Sequence, residues 1–224
     1  MSSSSDFPRL AHGIHGVDEE KRADNTVCFR QSEESEMRVL DLGCGEGLTP
    51  GKLSLPSGWQ IIGLDVRYEA VFKAHVKFPQ RDFVCSAAET FPFRASSFDR
   101  VISNVALPYM DIARVLAEAY RVLIPGGMLL ASLHPVTFAL AELRKALPKP
   151  KAALYRVLVL ANGLVFHVAG SNFGEAFQTE RGMRIALRRA NFAAVSFRHD
   201  SKRWFVEATK PQETRAEKDA NHAA

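Results

Sequence analysis

The sequence predicts an α/β fold built on a mostly parallel sheet with helices on both faces. Three observations carry that expectation. Short apolar runs alternate with helix-spaced segments from Arg38 to Leu133, as in chained β-α-β units. Glycine or proline stops several of these segments where a strand or helix must end. Near the end of the chain, "AVSFR" and "RWFVEAT" are joined only by "HDSK". So short a link cannot cross over a sheet, so these two strands are expected to run antiparallel.

The elements follow in order. Arg38–Leu42 is an apolar run stopped by glycine, hence a buried strand. Gln60–Asp65 reads as a second strand, and Glu69–Lys77 has helical spacing and ends before Pro79. Asp82–Cys85 and Phe98–Ser103 supply two more strands. Asp111 is placed to cap a helix with Ile112, Val115, Leu116, Ala119 and Leu123 on one face. "IPGG" breaks that helix before a fifth strand, Met128–Leu133. Val136–Leu147 reads as a helix. "LYRVLVLANGLVFHV" reads as two β-prone runs turning at Asn162-Gly163, a hairpin signal. Thr179 caps a helix through Arg189 that turns Met183, Leu187 and Ala190 inward. The insert over residues 135–178 follows the fifth strand. Ligands of open α/β sheets bind at the carboxyl ends of strands, so the insert is expected to cover a substrate pocket.

Composition narrows the function classes. The chain has 224 residues, 46% hydrophobic and 24% charged, enough for one domain with an elaboration and a core that needs neither disulfides nor metal. Residues 1–36 carry four basic and eight acidic side chains and read as a flexible acidic segment with a short helix around Asn25–Glu33. Residues 37–211 form the expected domain, and 212–224 a frayed tail. Cys28, Cys44 and Cys85 make neither a disulfide framework nor a C-x-x-C site. A cytoplasmic location is expected, as no secretory signal is visible. The run from Ala152 to Gly170 is interrupted by Arg156, Asn162, Gly163 and His167, so no membrane span is expected. His12 and His15 lack a third ligand nearby, so no metal site is expected. Residues 135–209 hold twelve basic and five acidic side chains, a surplus that suits a solvated surface, an anionic substrate or nucleic acid.

The chemistry centres on "VLDLGCGEG", Val39 to Gly47. Gly43, Gly45 and Gly47 permit positive φ and close approach of a ligand to the backbone. Leu48 stands where a dinucleotide turn needs a third small residue, which argues against NAD. No Gly-Lys-Ser/Thr follows, which excludes a P-loop. No Gly-x-Ser-x-Gly elbow suggests a hydrolase.

The pattern Asp41-x-Gly43-x-Gly45-x-Gly47 resembles the first motif of the class I S-adenosylmethionine-dependent methyltransferases. "GLDV" looks like that family's second-strand end, and "AAETFPFRASSFDRVISNVALPYM" like its central block. "EAYRVLIPGGMLLAS" resembles its helix, turn and fifth strand, and "AVSFRHDSKRWFVEATKP" its final reversed hairpin. Within the family the blocks are most similar to the broad type 11 group, which includes quinone-biosynthesis and other small-molecule methyltransferases. The resemblance implies a Rossmann-like three-layer sandwich with a seven-stranded sheet, one strand near the C-terminus being antiparallel. It also implies S-adenosyl-L-methionine as cofactor and a small-molecule methyl acceptor. The residues it marks for the cofactor are Asp41, Gly43, Cys44, Gly45 and Gly47 in the loop, and Asp65 for the ribose. Val66 or Arg67 would lie along adenine, Ala88 would bond it through its backbone N–H, and Asn104 would meet the methionine portion. Ala87 departs from the family's adenine-binding Asp or Asn, so either Glu89 or Ser86 substitutes or that contact is absent. Cys44 reads as a small filler rather than a nucleophile.

Methyl transfer is a displacement at an activated carbon, so positioning can suffice and a base is needed only when the acceptor must lose a proton. His134, after the fifth strand, and Tyr109, after the fourth, are the acceptor-site candidates. His167 is expected to pack or face water. Two further readings are an RNA or protein methyltransferase using the basic C-terminal third, and a non-catalytic cofactor-binding module. The absence of an Asn-Pro-Pro-Tyr type motif at "SNVALPYM" argues against many base-directed enzymes.

Overall fold

The structure is a computed structural model that describes residues 37–47, 59–199 and 203–212. The helix expected around residues 25–33 and the acidic segment over 1–36 lie outside the described residues. Seven strands form one sheet in the order β3-β2-β1-β4-β5-β7-β6. They are β1 (Met37–Leu42), β2 (Trp59–Asp65), β3 (Asp82–Cys85), β4 (Phe98–Asn104), β5 (Leu123–Leu133), β6 (Ala193–His199) and β7 (Trp204–Thr209). The first five pair in parallel. β7 runs antiparallel to both β5 and β6, as the short link before it requires. Strand order reverses between β1 and β4, which opens a crevice at their carboxyl ends.

Helices flank this sheet: α1 (Tyr68–Lys77), α2 (Ile112–Val122), α3 (Val136–Ala146), α4 (Pro150–Ala169) and α5 (Glu180–Arg189). Local chemistry explains their starts. The Asp111 side chain accepts from the Arg114 amide at 3.2 Å, and Thr179 accepts from Gly182 at 3.1 Å. Each bond satisfies a donor that the helix itself cannot. α2 buries Ile112, Val115, Leu116, Ala119 and Val122. Together with Leu40, Phe98, Leu129, Phe166 and Met183 they make one continuous core.

Two expectations are corrected. "IPGG" does not precede β5 but lies inside it, at an irregularity where the pairing with β4 shifts. The stretch read as a hairpin turning at Asn162-Gly163 is a single twenty-residue helix, α4. Gly163 is there for space: a Cβ would stand 2.1 Å from the Phe177 ring. Asn162 is there for its side-chain amide, which donates to the carbonyls of Gly174 and Glu175 at 3.2 and 3.0 Å. Both residues hold the loop after α4 against the helix, and the left-handed Gly170 ends the helix. By length and composition alone α4 is also long and apolar enough to cross a bilayer, which its interruptions had argued against; Arg156 is turned aside into ion pairs.

Candidate functional site

β1 delivers Asp41 and the glycine turn to the crevice. Gly43, Gly45 and Gly47 have φ of +72°, +56° and +74°, the region that glycine enters without penalty. At Gly43 space is also limiting, because a Cβ would lie 2.3 Å from the Ala106 Cβ in the turn after β4. The amides of Gly43 and Cys44 donate to the Leu64 carbonyl at 2.7 and 3.0 Å, which locks the turn to the end of β2. The opposing segment is strained. Val105, a β-branched residue, has φ +56°, and its amide donates to Ser132 at 3.0 Å. A β-branched side chain in this region is an outlier kept only by the surrounding structure.

Asp41 is 1% exposed, and its Oδ2 has no hydrogen-bond partner. Burial, helped by the neighbouring Asp65 charge, pushes its carboxyl up to about 7. Asp65 is differently placed. Its Oδ2 accepts from the Gly45 amide and its Oδ1 from the Arg67 amide, each at 2.9 Å, with the Arg67 guanidinium 3.3 Å away. A carboxylate has about four acceptor positions; the two amides and the Arg67 Nε take three of them, so a pair of hydroxyls would use the free position and displace the exposed Arg67 side chain. Val66 is 67% exposed beside it. The Cys44 thiol packs over Gly63, and burial raises its pKa far above the ordinary thiol value, which agrees with a filler role. Ala88 is buried in the core. Glu89 accepts from the Asp111 amide at 3.2 Å, anchoring the start of α2. Asn104 accepts from the Ser132 hydroxyl at 3.1 Å.

Against Pro108 and Tyr109, in the segment after β4, lies a cleft open to solvent, about 410 Å³ with the open space counted. Tyr109, His134, Phe138, Glu142, Arg156 and Gln178 are among its lining residues. The two acceptor-site candidates therefore share one cleft. The His134 ring stacks on Phe138 with centroids 3.8 Å apart, and its buried Nδ1 has no partner. Burial first, then Arg203, lowers its pKa from the ordinary histidine value, which keeps the imidazole neutral near pH 7. Tyr109 sits in a short 3-10 turn, Leu107–Tyr109, and burial together with Glu175 raises its pKa. The segment 105–110 connects cleft and turn: Met110 and Ala106 press on Gly43, while the Pro108 carbonyl accepts from Ala176 at 3.1 Å.

Other cleft residues carry no local signal in the sequence. Arg156 bridges Glu175 at 2.8 Å and Glu142 at 3.8 Å, partners that lie far apart along the chain. Gln178 is 2% exposed and its Oε1 is unpartnered. Of the phenylalanines in residues 135–178, Phe138 lines the cleft, whereas Phe166 belongs to the core and Phe173 is 86% exposed. His167 packs, its Nδ1 3.0 Å from the Thr179 hydroxyl. Among the described residues no group of three or more His, Cys, Asp or Glu could hold a metal ion; His12 and His15 lie outside the described residues.

Comparison with known proteins bears on this arrangement. A family model described as a methyltransferase domain matches residues 40–131, from the first strand to the fifth. An uncharacterized methyltransferase of Synechocystis sp. is 39% identical over 101 residues, 43% of this chain and 47% of that one. A malonyl-[acyl-carrier protein] O-methyltransferase of Enterobacter lignolyticus is 30% identical over 131 residues, 57% of this chain and 50% of that one. This chain thus spans about half the length of each. The crystal structure of a SAM-dependent methyltransferase of Methanosarcina mazei is 22% identical and superposes with a TM-score of 0.58 over 80% of this chain and 95% of that one. That likeness is one of fold.

Proposed function

We propose, for a chain that carries a class I S-adenosylmethionine-dependent methyltransferase domain, that it transfers a methyl group from S-adenosyl-L-methionine to a small organic acceptor held in the Tyr109–His134–Arg156 cleft. One observation carries the reading: the buried, unpartnered carboxylate of Asp41 at the glycine turn. A buried carboxylate without a donor is costly, and a cationic ligand relieves that cost. The donor brings an ammonium group to pair with Asp41 and, through its sulfonium, a methyl carbon already activated for displacement.

The chain's own residues bind and orient. Gly43, Gly45 and Gly47 let backbone atoms approach the ligand. Asp65 accepts from two adjacent ribose hydroxyls, one of them in place of the Arg67 guanidinium, while Val66 or Arg67 lies along one adenine face. The Ala88 amide meets an adenine ring nitrogen. Glu89 or Ser86 takes the adenine amino group, the role that Ala87 leaves open. Asn104 contacts the methionine portion. On the acceptor side, residues 135–178 form most of the cleft wall. His134, neutral and with an unpartnered nitrogen, accepts a proton when the acceptor must lose one, and Tyr109 orients the acceptor.

Calorimetry with S-adenosylmethionine tests the cofactor half. Asp65→Ala is expected to weaken binding by roughly tenfold to hundredfold, the value of hydrogen bonds to a charged group. Absence of binding by the wild type, or an affinity indifferent to Asp65→Ala, would sink the reading. Formation of S-adenosylhomocysteine over a panel of small acceptors tests the acceptor half. With a substrate found, His134→Gln should cut kcat by roughly 10²–10⁴, the range for a general base. Because the His134 pKa is lowered, wild-type activity should persist as pH falls through the usual histidine range and decline only below it. An unchanged kcat in His134→Gln would remove the base assignment alone.

A further inference from the structure

We propose that α4 and the α3–α4 turn form a docking face for an anionic lipid bilayer, with the helix lying in the interface rather than crossing it. The argument begins with the two sides of α4. Its inner side carries Val159, Gly163 and Phe166, all buried. Its outer side, at alternating steps of three and four residues, carries Leu154, Leu158, Ala161, Val165 and Val168. The large members of that row are 62%, 58%, 42% and 67% exposed. A surface helix ordinarily turns a polar face to water. Neighbouring α5 does so, with Arg181, Arg184 and Arg188 exposed. From Val157 to Gly174 there is no Asp, Glu, Lys or Arg at all. A continuous exposed apolar face of this kind marks an interaction surface.

Charge selects the partner. Arg144, Lys145, Lys149 and Lys151 are all exposed at the α3–α4 turn, around an exposed Leu147. Over residues 135–174 there are five basic side chains and one acidic, Glu142, and Lys145 and Arg156 both pair with it. An apolar helix face edged by lysine and arginine matches an anionic membrane surface, where side chains sink into the acyl boundary and cations meet headgroups. Fixed contacts keep α4 on the domain. Arg156 is bridged to Glu175, Phe177 fills the notch at Gly163, and His167 meets Thr179. A crossing helix would have to break all three. Resting on the acceptor reading above, one consequence follows: Arg156 and Val159 on the inner side of α4 line the cleft, so a lipid-soluble acceptor is the class the site would take.

Sedimentation of the full chain with vesicles of equal parts phosphatidylglycerol and phosphatidylcholine tests the proposal. The protein should pellet with these, far less with phosphatidylcholine alone, and less as salt screens the charges. Leu158→Asp combined with Val165→Asp should abolish binding. Lys149→Gln with Lys151→Gln should weaken it about fivefold per lysine while leaving the apolar face intact. Thermal unfolding and cofactor calorimetry on the same preparations check folding and keep the two readings separate. Vesicle binding without cofactor binding supports the docking face and sinks the methyltransferase reading; the reverse overturns only the docking face. Vesicle binding that survives the double aspartate change also overturns it. So does a wild-type dimer, seen by light scattering, that the same change splits, because the face then belongs to a second copy.

Discussion

The proposed cofactor side and acceptor side of the site are held together in different ways. On the cofactor side, strand ends and backbone amides do the positioning. Gly43 and Cys44 bond to Leu64, and Gly45 and Arg67 bond to Asp65, all groups whose places follow from the register of β1 against β2. On the acceptor side, side chains brace the two helices: Arg156 between Glu142 and Glu175, Tyr155 donating to Glu175, and Phe177 against Gly163. A sheet register moves only as a unit, whereas a side-chain brace can be altered one residue at a time. A rigid half suits the invariant part of a reaction and an adjustable half its variable part.

Substitutions can break that contrast, the largest effect first. Gly43→Val adds a Cβ where φ is +72° and Ala106 stands 2.3 Å away. Urea unfolding should show a loss on the order of 4 kcal/mol, strain and overpacking together. Ala106→Gly should restore only the packing part, and full restoration would mean that strain at Gly43 is absent. Gly163→Ala poses the same question on the other side. Helix propensity alone would favour alanine by about 1 kcal/mol, but the Phe177 ring 2.1 Å from the new Cβ should turn this into a net loss of about 1–2 kcal/mol. Adding Phe177→Leu should recover part of it, a coupling that a double-mutant cycle reads directly. A stabilised Gly163→Ala would show that the brace is loose.

A pH dependence probes the rigid half. The Asp41 carboxyl is raised from 3.8 to about 7, so between those values the folded protein holds a proton that the unfolded chain releases. Stability without cofactor should therefore fall as pH rises through that window. Asp41→Asn should flatten the dependence and stabilise the protein at pH 8, measured by chemical unfolding, while weakening S-adenosylmethionine. The wild type should bind cofactor more tightly as pH rises toward 8, because the cation pairs with the ionised form. An affinity flat with pH would move the ammonium partner elsewhere.

The same contrast decides what could be read in advance. Asp41, Gly43, Gly45 and Asp65 announce themselves because a tight turn after a buried strand makes demands that few residue types meet. His134 and Tyr109 are picked out by position, as the residues following the ends of two strands. Their shared cleft depends on α3, which the sequence spacing predicts, and on α4, which it does not. The run from Leu154 to Val168 is apolar all round, so its period cannot separate strand from helix, and Asn162-Gly163 within it mimics a hairpin turn. Arg156, Glu175 and Gln178 were missed for a related reason: each gains its place from a partner or wall distant along the chain, and nothing adjacent marks it.

Local backbone chemistry was enough to determine the parallel sheet, the reversed final hairpin and the glycine turn with its two acids, because each is dictated by neighbours within a few residues. Whether residues 150–169 pair as strands or coil as one helix was left to the folded chain. Phe177 and Thr179 arrive from beyond the segment to claim Gly163 and His167, and those non-local contacts choose between two local conformations that the apolar sequence accommodates about equally.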